Sequence, residues 1–406
     1  MPQICFYFQL HQPWRLRPYG VFEIGVEENS QLPSHYFEID EKYDFSNSRV
    51  IKKVSEKSYR PMLRLLLQLV RRYPEFQFSF SASGVFLQQL QAYAPDVVQL
   101  LQELVATGQV EVLAETQFHS LASLYSPKEF ALQVAEHGRL VDELFAVRPT
   151  VFRNTELIYS DDIAAQVAAL GYVGMLAEGA DKILRGRTPS QVYHSAGPEK
   201  LPLLLKHYKL SDDIAFRFSQ HSWPEWPLTA EKYTAWLTQP FGQNDLINLF
   251  MDFETFGEHQ WEAEGIFPFF ETLIGLLQEQ TEVSFVTPSQ AIAAQEAVES
   301  FACADPISWA DVDRDLTAWR GNSLQWDALR VLYELEPIVV GSGDTQLVED
   351  WRRLQTSDHF YYMCTKWAND GDVHAYFSPY GSPYQAYVNY TMVLADLKIR
   401  AGGEDE

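Results

Sequence analysis

An α/β fold with parallel strands is the reading the sequence supports best, and three observations carry it. Short aromatic or β-branched segments alternate with amphipathic ones, the pattern of strands joined by right-handed helical crossovers. About seven such strand–helix units fit before residue 295. Helix start and stop signals stand where the alternation needs them. A closed or nearly closed (β/α) barrel accommodates this pattern. A doubly wound open sheet is the structural alternative.

The elements follow in order. "ICFYFQL" at 4–10 reads as a buried strand. "SYRPMLRLLLQLVRRYP" at 58–74 reads as an amphipathic helix stopped by Pro74. "FQFSFSA" at 76–82 is strand-like, and the helix after it has Pro95 in its first turn and Gly108 at its end. "QVEVLAE" at 109–115 is a third strand, followed by a helix opened by Ser126. "TVFRN" at 150–154 precedes a helix capped by Ser160 and closed by Gly171. "YVGMLAE" at 172–178 and "DLINLFMD" at 245–252 are strands, 267–280 a helix, and "VSFVTP" at 283–288 a last strand. Two stretches, Arg17 to Ser48 and Gly186 to Trp226, read as irregular, and long loops in a compact domain tend to be functional. Beyond Ala294–Pro306 the segments become helical, at Leu324–Val339, Asp344–Tyr362 and Ser382–Ile399. The expected division is a barrel domain over 1–295 and a C-terminal helical domain over 306–406.

Composition narrows the function. A formal charge of −24 argues against nucleic acid and anionic membrane partners, both of which need basic patches. No apolar run reaches the length of a membrane span. Cys5, Cys303 and Cys364 are far apart and odd in number, so no disulfide framework is expected. With no basic leader before the first strand, the expected compartment is the cytoplasm. Aromatic residues reach 14%, enough for a cleft of flat apolar faces on which sugar rings stack as well as for an aromatic core.

In parallel barrels the chemistry lies where strands end at their carboxyl edge. Polar residues gather at those ends: Gln9, His11 and Gln12 after the first strand, and Glu111, Glu115 and His119 around the third. Arg153, Asn154 and Glu156 follow the fourth, and Asp252 and Glu254 lie on the strand in "FMDFETFGEHQW". Taken singly, a strand-end acid is more often a helix cap or ion-pair partner, and a lone histidine more often structural. Their convergence on one rim is what points to a site. Two facing carboxylates suit glycoside hydrolysis, one attacking or supporting an oxocarbenium-like centre and the other protonating the leaving oxygen. The ten histidines show no ligand spacing for a metal, and no glycine-rich phosphate loop is present, so neither metal nor cofactor is expected.

With these residues in view the chain resembles glycoside hydrolase family 57, in its α-amylase-like branch. "LHQP" at 10–13, "GQVEVLAE" at 108–115, "VFRNTELIY" at 151–159, "MDFETFGEH" at 251–259 and "VTPSQAI" at 286–292 look like its five motifs in order. "DRDLTAWRGN" and "SDHFYYMCTK" are also similar to that branch. The resemblance implies a distorted (β/α)7 barrel followed by a C-terminal helical bundle, and retention of configuration on α-glucan or maltooligosaccharide substrates. It implies Glu156 as nucleophile and Asp252 as acid/base. Hydrolysis, glucanotransfer, branching, and carbohydrate binding without turnover all remain open at this level. His11, Gln12, Glu111, Arg153, Glu254 and His259 are candidates for sugar contacts or for orienting the two acids, with Trp14 and Trp261 as stacking faces. Trp319, Asp358 and His359 are expected to close the cleft from the C-terminal helices.

Overall fold

In a computed structural model, residues 2–26, 35–239, 245–366 and 378–402 are described. Nine strands are found among them: β1 (Gln3–Leu10), β2 (Phe78–Ala82), β3 (Val110–Val112), β4 (Val151–Arg153), β5 (Gly174–Glu178), β6 (Val192–His194), β7 (Pro202–Lys206), β8 (Leu246–Asp252) and β9 (Ser284–Phe285). Strands β8, β1, β2 and β3 form one parallel ladder, with β9 joining the first residues of β1. Strands β4, β5 and β7 form a second, with β6 antiparallel on its edge.

Two thin seams join these sheets. Between β3 and β4, Ala114 accepts from the Arg153 amide at 2.8 Å and donates to Val151 at 3.0 Å. Between β7 and β8, the Asn248 side chain donates to the Leu205 carbonyl at 2.9 Å, and the His207 amide donates to the Asn248 carbonyl at 2.9 Å. The ring of parallel strands β1, β2, β3, β4, β5, β7 and β8 is thus a distorted (β/α)7 barrel.

Side-chain alternation sorts each strand into two faces. On β1, Ile4, Phe6 and Phe8 pack outward against the helices Arg60–Arg72, Pro95–Ala106 and Ile266–Glu279. Cys5 and Tyr7 point inward, into a small core shared with Leu113, Val151, Leu176, Leu204 and Phe250. Each inward row rises to a polar residue two positions later: Gln9 above Tyr7, Glu115 above Leu113, Arg153 above Val151, Glu178 above Leu176, Lys206 above Leu204, and Asp252 above Phe250. Ser79 and Ser81 do the same on β2, both fully buried. The barrel is apolar at mid-height and ionisable at its carboxyl end, which is why acids occur at the ends of otherwise apolar strands.

The stretch 186–226 is not irregular throughout: it holds β6, β7 and the helix Tyr208–Ala215. β7 escapes the sequence pattern because it is five residues long and opens on Pro202, a residue tolerated at a strand start but read as a breaker. The first two C-terminal helices are divided into shorter pieces than expected, while the last runs as expected. The first divides into Ser323–Glu334 and Glu336–Gly341, with Pro337 in the opening turn of the second piece. The next divides into Thr345–Leu354 and Ser357–Tyr361, because Thr356 leaves the helix to pair with Ser120, its hydroxyl donating to the Phe118 carbonyl at 2.8 Å. The last is Pro383–Arg400. Trp351, Phe360 and Tyr390 from these helices share one hydrophobic core with Phe152, Met175 and Leu203 of the barrel. No helix among the described residues is long and apolar enough to cross a membrane.

Candidate active site

Glu156 sits in a tight turn directly after β4, with its backbone in the left-handed region (φ 57°). Leu157 (φ 50°) and His119 (φ 50°) share this conformation. For residues with a Cβ each such position costs about 1 kcal/mol or more and persists only where the surroundings impose it. Here they do. The Glu156 carboxylate is clamped from three elements: Trp309 donates its indole Nε1–H to Oε2 at 2.7 Å, Ser357 donates to Oε1 at 3.1 Å, and His119 Nε2 lies 3.5 Å from Oε1. The Glu156 side chain remains 20% exposed.

Behind His119 a buried chain of hydrogen bonds fixes its orientation. His119 Nδ1 is 2.9 Å from Glu115 Oε2, and Glu115 Oε1 accepts from Gln9 Nε2 at 3.1 Å. The Gln9 side-chain oxygen Oε1 in turn accepts from the Tyr7 hydroxyl and from Ser81 at 2.9 Å. His11 stacks on His119 with ring centres 3.9 Å apart, and is held by Ser83 at 2.6 Å and Asp358 at 3.0 Å.

The charges of the two principal acids are driven apart. Burial pushes Glu156 up, but the hydrogen bond and charge of His119 and the Arg153 guanidinium outweigh it and hold the carboxyl below its ordinary value. Burial and the negative charge of Glu156 raise Asp252 to about 6. Burial and the nearby Asp252 raise Glu254 further, to about 8. Burial opposes charge on His119, yet its bonds to Glu115 and Glu156 lift it to about 9, while the same contact brings buried Glu115 down to about 2.

Glu254 lies past the end of β8, in the turn Phe253–Thr255, so strand alternation no longer sets its direction. It turns to the Tyr59 hydroxyl and the Gln12 side chain. Tyr59 is delivered by a π-helical turn, Ser55–Tyr59. Gly257 allows that approach: at φ 104° its missing Cβ would stand 1.9 Å from the Lys57 carbonyl oxygen, so no other residue fits.

The structure brings together His11, Gln12, Glu156, Asp252, Glu254 and Asp358. Other expectations need correction. Glu111 shares the inward face with Glu115 but lies four residues earlier, about 13 Å lower along the strand. There it accepts from the Ser289 amide (2.9 Å) and hydroxyl (3.0 Å) at the start of a helix, away from the rim. Arg153 is fully buried and its guanidinium, which has no hydrogen-bond partner among the described residues, lies 4.8 Å from the Trp309 ring centre. Buried so, it is not exposed for a sugar contact; its charge favours the ionised form of Glu156, the orienting role left open for it above. Trp319, 2% exposed, packs in the core beside Tyr361. His359 is buried and faces Tyr390, unlike its neighbour Asp358. Trp14 is half-buried between Tyr93 and Arg353, His259 is half-buried, and Trp261 is exposed.

Trp309, Ser357, Tyr59, Glu178 and Lys206 are absent from the sequence-derived set. Trp309 rests on Arg153 and on Lys206, whose Nζ is 5.3 Å from its ring centre. Lys206 also bonds Asp212 at 2.8 Å and stands 3.9 Å from Glu178. The inward alternation of β5 and β7 was the available signal for Glu178 and Lys206. Nothing local marks Trp309. Its loop is tied by Arg314, which donates to the Trp309 carbonyl at 2.9 Å and to Asp212 at 3.0 Å. Among the described residues no group of three or more His, Cys, Asp or Glu is placed to hold a metal ion.

Comparisons with known proteins agree with this architecture. The chain is 37% identical over 409 aligned residues to a Methanocaldococcus jannaschii protein provisionally named an alpha-amylase, covering 97% of this chain and 84% of that one. Its fold is similar to a branching enzyme from Pyrococcus horikoshii (TM-score 0.68, 14% identity, 92% of this chain and 87% of that one). It is also similar to a 4-alpha-glucanotransferase from Thermococcus litoralis (TM-score 0.65, 12% identity, 88% of this chain), of which it spans only 55%. The model of glycosyl hydrolase family 57 matches residues 5–302. With that match over most of the barrel, and a relative alike along almost the whole length, the chain belongs to glycosyl hydrolase family 57.

Proposed function

We propose that this glycoside hydrolase cleaves α-glucans with retention of configuration, Glu156 acting as nucleophile and Asp252 as acid/base. One observation carries the reading: two acids, at the ends of β4 and β8 on one barrel mouth, have opposite charging tendencies, Glu156 held below its ordinary value and Asp252 raised to about 6. A nucleophile must be charged and a general acid protonated at the same pH. In the first step Asp252 donates its proton to the glycosidic oxygen as Glu156 attacks the anomeric carbon. In the second, Asp252 takes a proton from water as the glycosyl ester is cleaved. The clamp of Trp309, Ser357 and His119 aims the Glu156 carboxylate and stabilises it as the leaving group of the second step. The family and the amylase-named relative support α-glucan as substrate.

The test is incubation with amylose and maltooligosaccharides, with products resolved by size, linkage and initial anomeric form. Shorter chains released as α-anomers support the reading. Longer or newly branched chains redirect it to transfer, where a sugar hydroxyl replaces water on the same intermediate. Release of β-anomers overturns retention.

A further inference from the structure

Three large aromatic side chains stand out on the surface beyond the acids. Phe216 is 62% exposed, Trp226 41% and Trp261 59%. Such side chains are normally mostly buried, and several of them on adjoining loops mark a contact surface. They lie on two loops. Residues 216–226 follow the helix Tyr208–Ala215, and Trp261 lies nine positions beyond Asp252 on the loop that leaves β8.

The loops are stitched together. Gln260, buried, accepts from the Ser219 amide at 3.1 Å and from its hydroxyl, and donates to the Ala215 carbonyl at 2.7 Å. His221 stands 3.6 Å from Glu264 and packs at a tilt against Trp226 with ring centres 4.3 Å apart. Phe218 anchors the same loop in the core against Phe269, 5.0 Å between centres. The aromatic faces are therefore held in place before any ligand arrives, which lowers the ordering cost of binding.

The surroundings narrow the ligand. Glu225, Glu262 and Glu264 are exposed around the patch, and the chain carries −24. Phosphate backbones and a second acidic copy would both be repelled. A neutral chain with apolar C–H faces would not, and a glucan is one.

We infer that Phe216, Trp226 and Trp261 form an outer platform, continuous with the catalytic mouth through residues 252–261, that holds a glucan chain beyond the ring being cleaved. The inference rests on the α-glucan reading above and adds that the enzyme selects long chains. Units stacked on the platform would lower KM for polymers without touching the reacting bond.

The experiment compares wild type with a Phe216→Ala/Trp226→Ala double variant of the full chain. Steady-state kinetics are measured on amylose and on maltotetraose, with thermal unfolding and sedimentation as controls. The platform predicts that KM for amylose rises about tenfold or more in the double variant, while kcat on both substrates and KM for maltotetraose stay within about twofold. Equal losses on both substrates, or none on amylose, overturn the platform and leave the α-glucan reading standing. Altered sedimentation with unchanged amylose kinetics overturns it in favour of an interface between copies. A wild-type protein that cleaves neither substrate removes the α-glucan reading itself, and the platform with it.

Discussion

The indole Nε1–H of Trp309 donates to Glu156 Oε2 at 2.7 Å across 153 positions of sequence, and the Trp309 amide also donates to the Glu156 carbonyl at 3.2 Å. One residue thus holds both the backbone and the carboxylate of the proposed nucleophile. It rests in turn on two buried cations, Arg153 and Lys206. Trp309→Phe keeps most of the packing and removes only the donor. Its kcat is expected to fall by about 10–100-fold. The acid limb of the pH–rate profile should move to higher pH, since a lost donor raises a carboxyl pKa. A profile unchanged in shape would limit Trp309 to packing.

Asp252→Asn leaves the nucleophile in place and removes the proton donor. On α-glucans the rate should drop by about three orders of magnitude. On an aryl α-glucoside with a strongly acidic phenol, which departs without a proton, the first step should be largely spared. Measuring both substrates on one preparation checks this. Equal losses on both would place Asp252 outside the acid role.

Activity on α-glucans should peak on the acid side of pH 6. The alkaline limb follows Asp252, raised to about 6, because turnover needs it protonated and falls as pH rises through that value. The acid limb follows protonation of Glu156, whose carboxyl is held below its ordinary range. The two apparent values belong to the coupled pair. A kcat/KM profile rising from pH 6 to 8 would contradict the assignment.

Stability should follow the Glu115–His119 contact. Glu115 is depressed to about 2, so its contribution is present above its unfolded value of about 4.3 and is lost as pH falls toward 2. His119 is raised to about 9, so its contribution is complete below about 6.5 and is lost as pH rises through 9. Denaturant unfolding should therefore show the pair contributing most between about pH 4.3 and 6.5. Glu115→Gln should cost about 3 kcal/mol or more there and flatten the decline between pH 7 and 9.

Glu111 offers the opposite test. Its carboxylate holds the start of the helix Pro288–Ala294 at the far end of the barrel. Glu111→Ala is expected to destabilise by about 1–3 kcal/mol and leave kcat/KM within about twofold. A large kinetic loss in a stable variant would return Glu111 to the site.

Much of the barrel was legible because alternation is local. The rows Phe250–Asp252, Leu113–Glu115 and Val151–Arg153 can be read from single strands, and with them the layer of ionisable groups. The seams at Ala114 and Asn248 were not, since each rests on one or two bonds between strands distant in sequence. Trp319, and Arg153 as a sugar contact, were misjudged for one reason: residue type suggests a sugar contact, but only packing reveals that another side chain covers it. The break at Thr356, which turns Ser357 toward Glu156 and Asp358 toward His11, arises from pairing with Ser120 and leaves no periodic trace. Glu178 was within reach, since "YVGMLAE" ends on an acid just as "QVEVLAE" does.

In the proposed mechanism Glu156 forms a covalent bond to the sugar. A 5-fluoro-α-glucosyl fluoride slows both steps but leaves the first faster than the second, so the ester accumulates and can be located by mass spectrometry of the digested protein. A fluoroglucosyl mass is expected on the peptide containing 151–159, at Glu156, and is expected to be absent in Glu156→Gln. A label on Asp252 or Glu254, or inverted product with no label on any peptide, would contradict it.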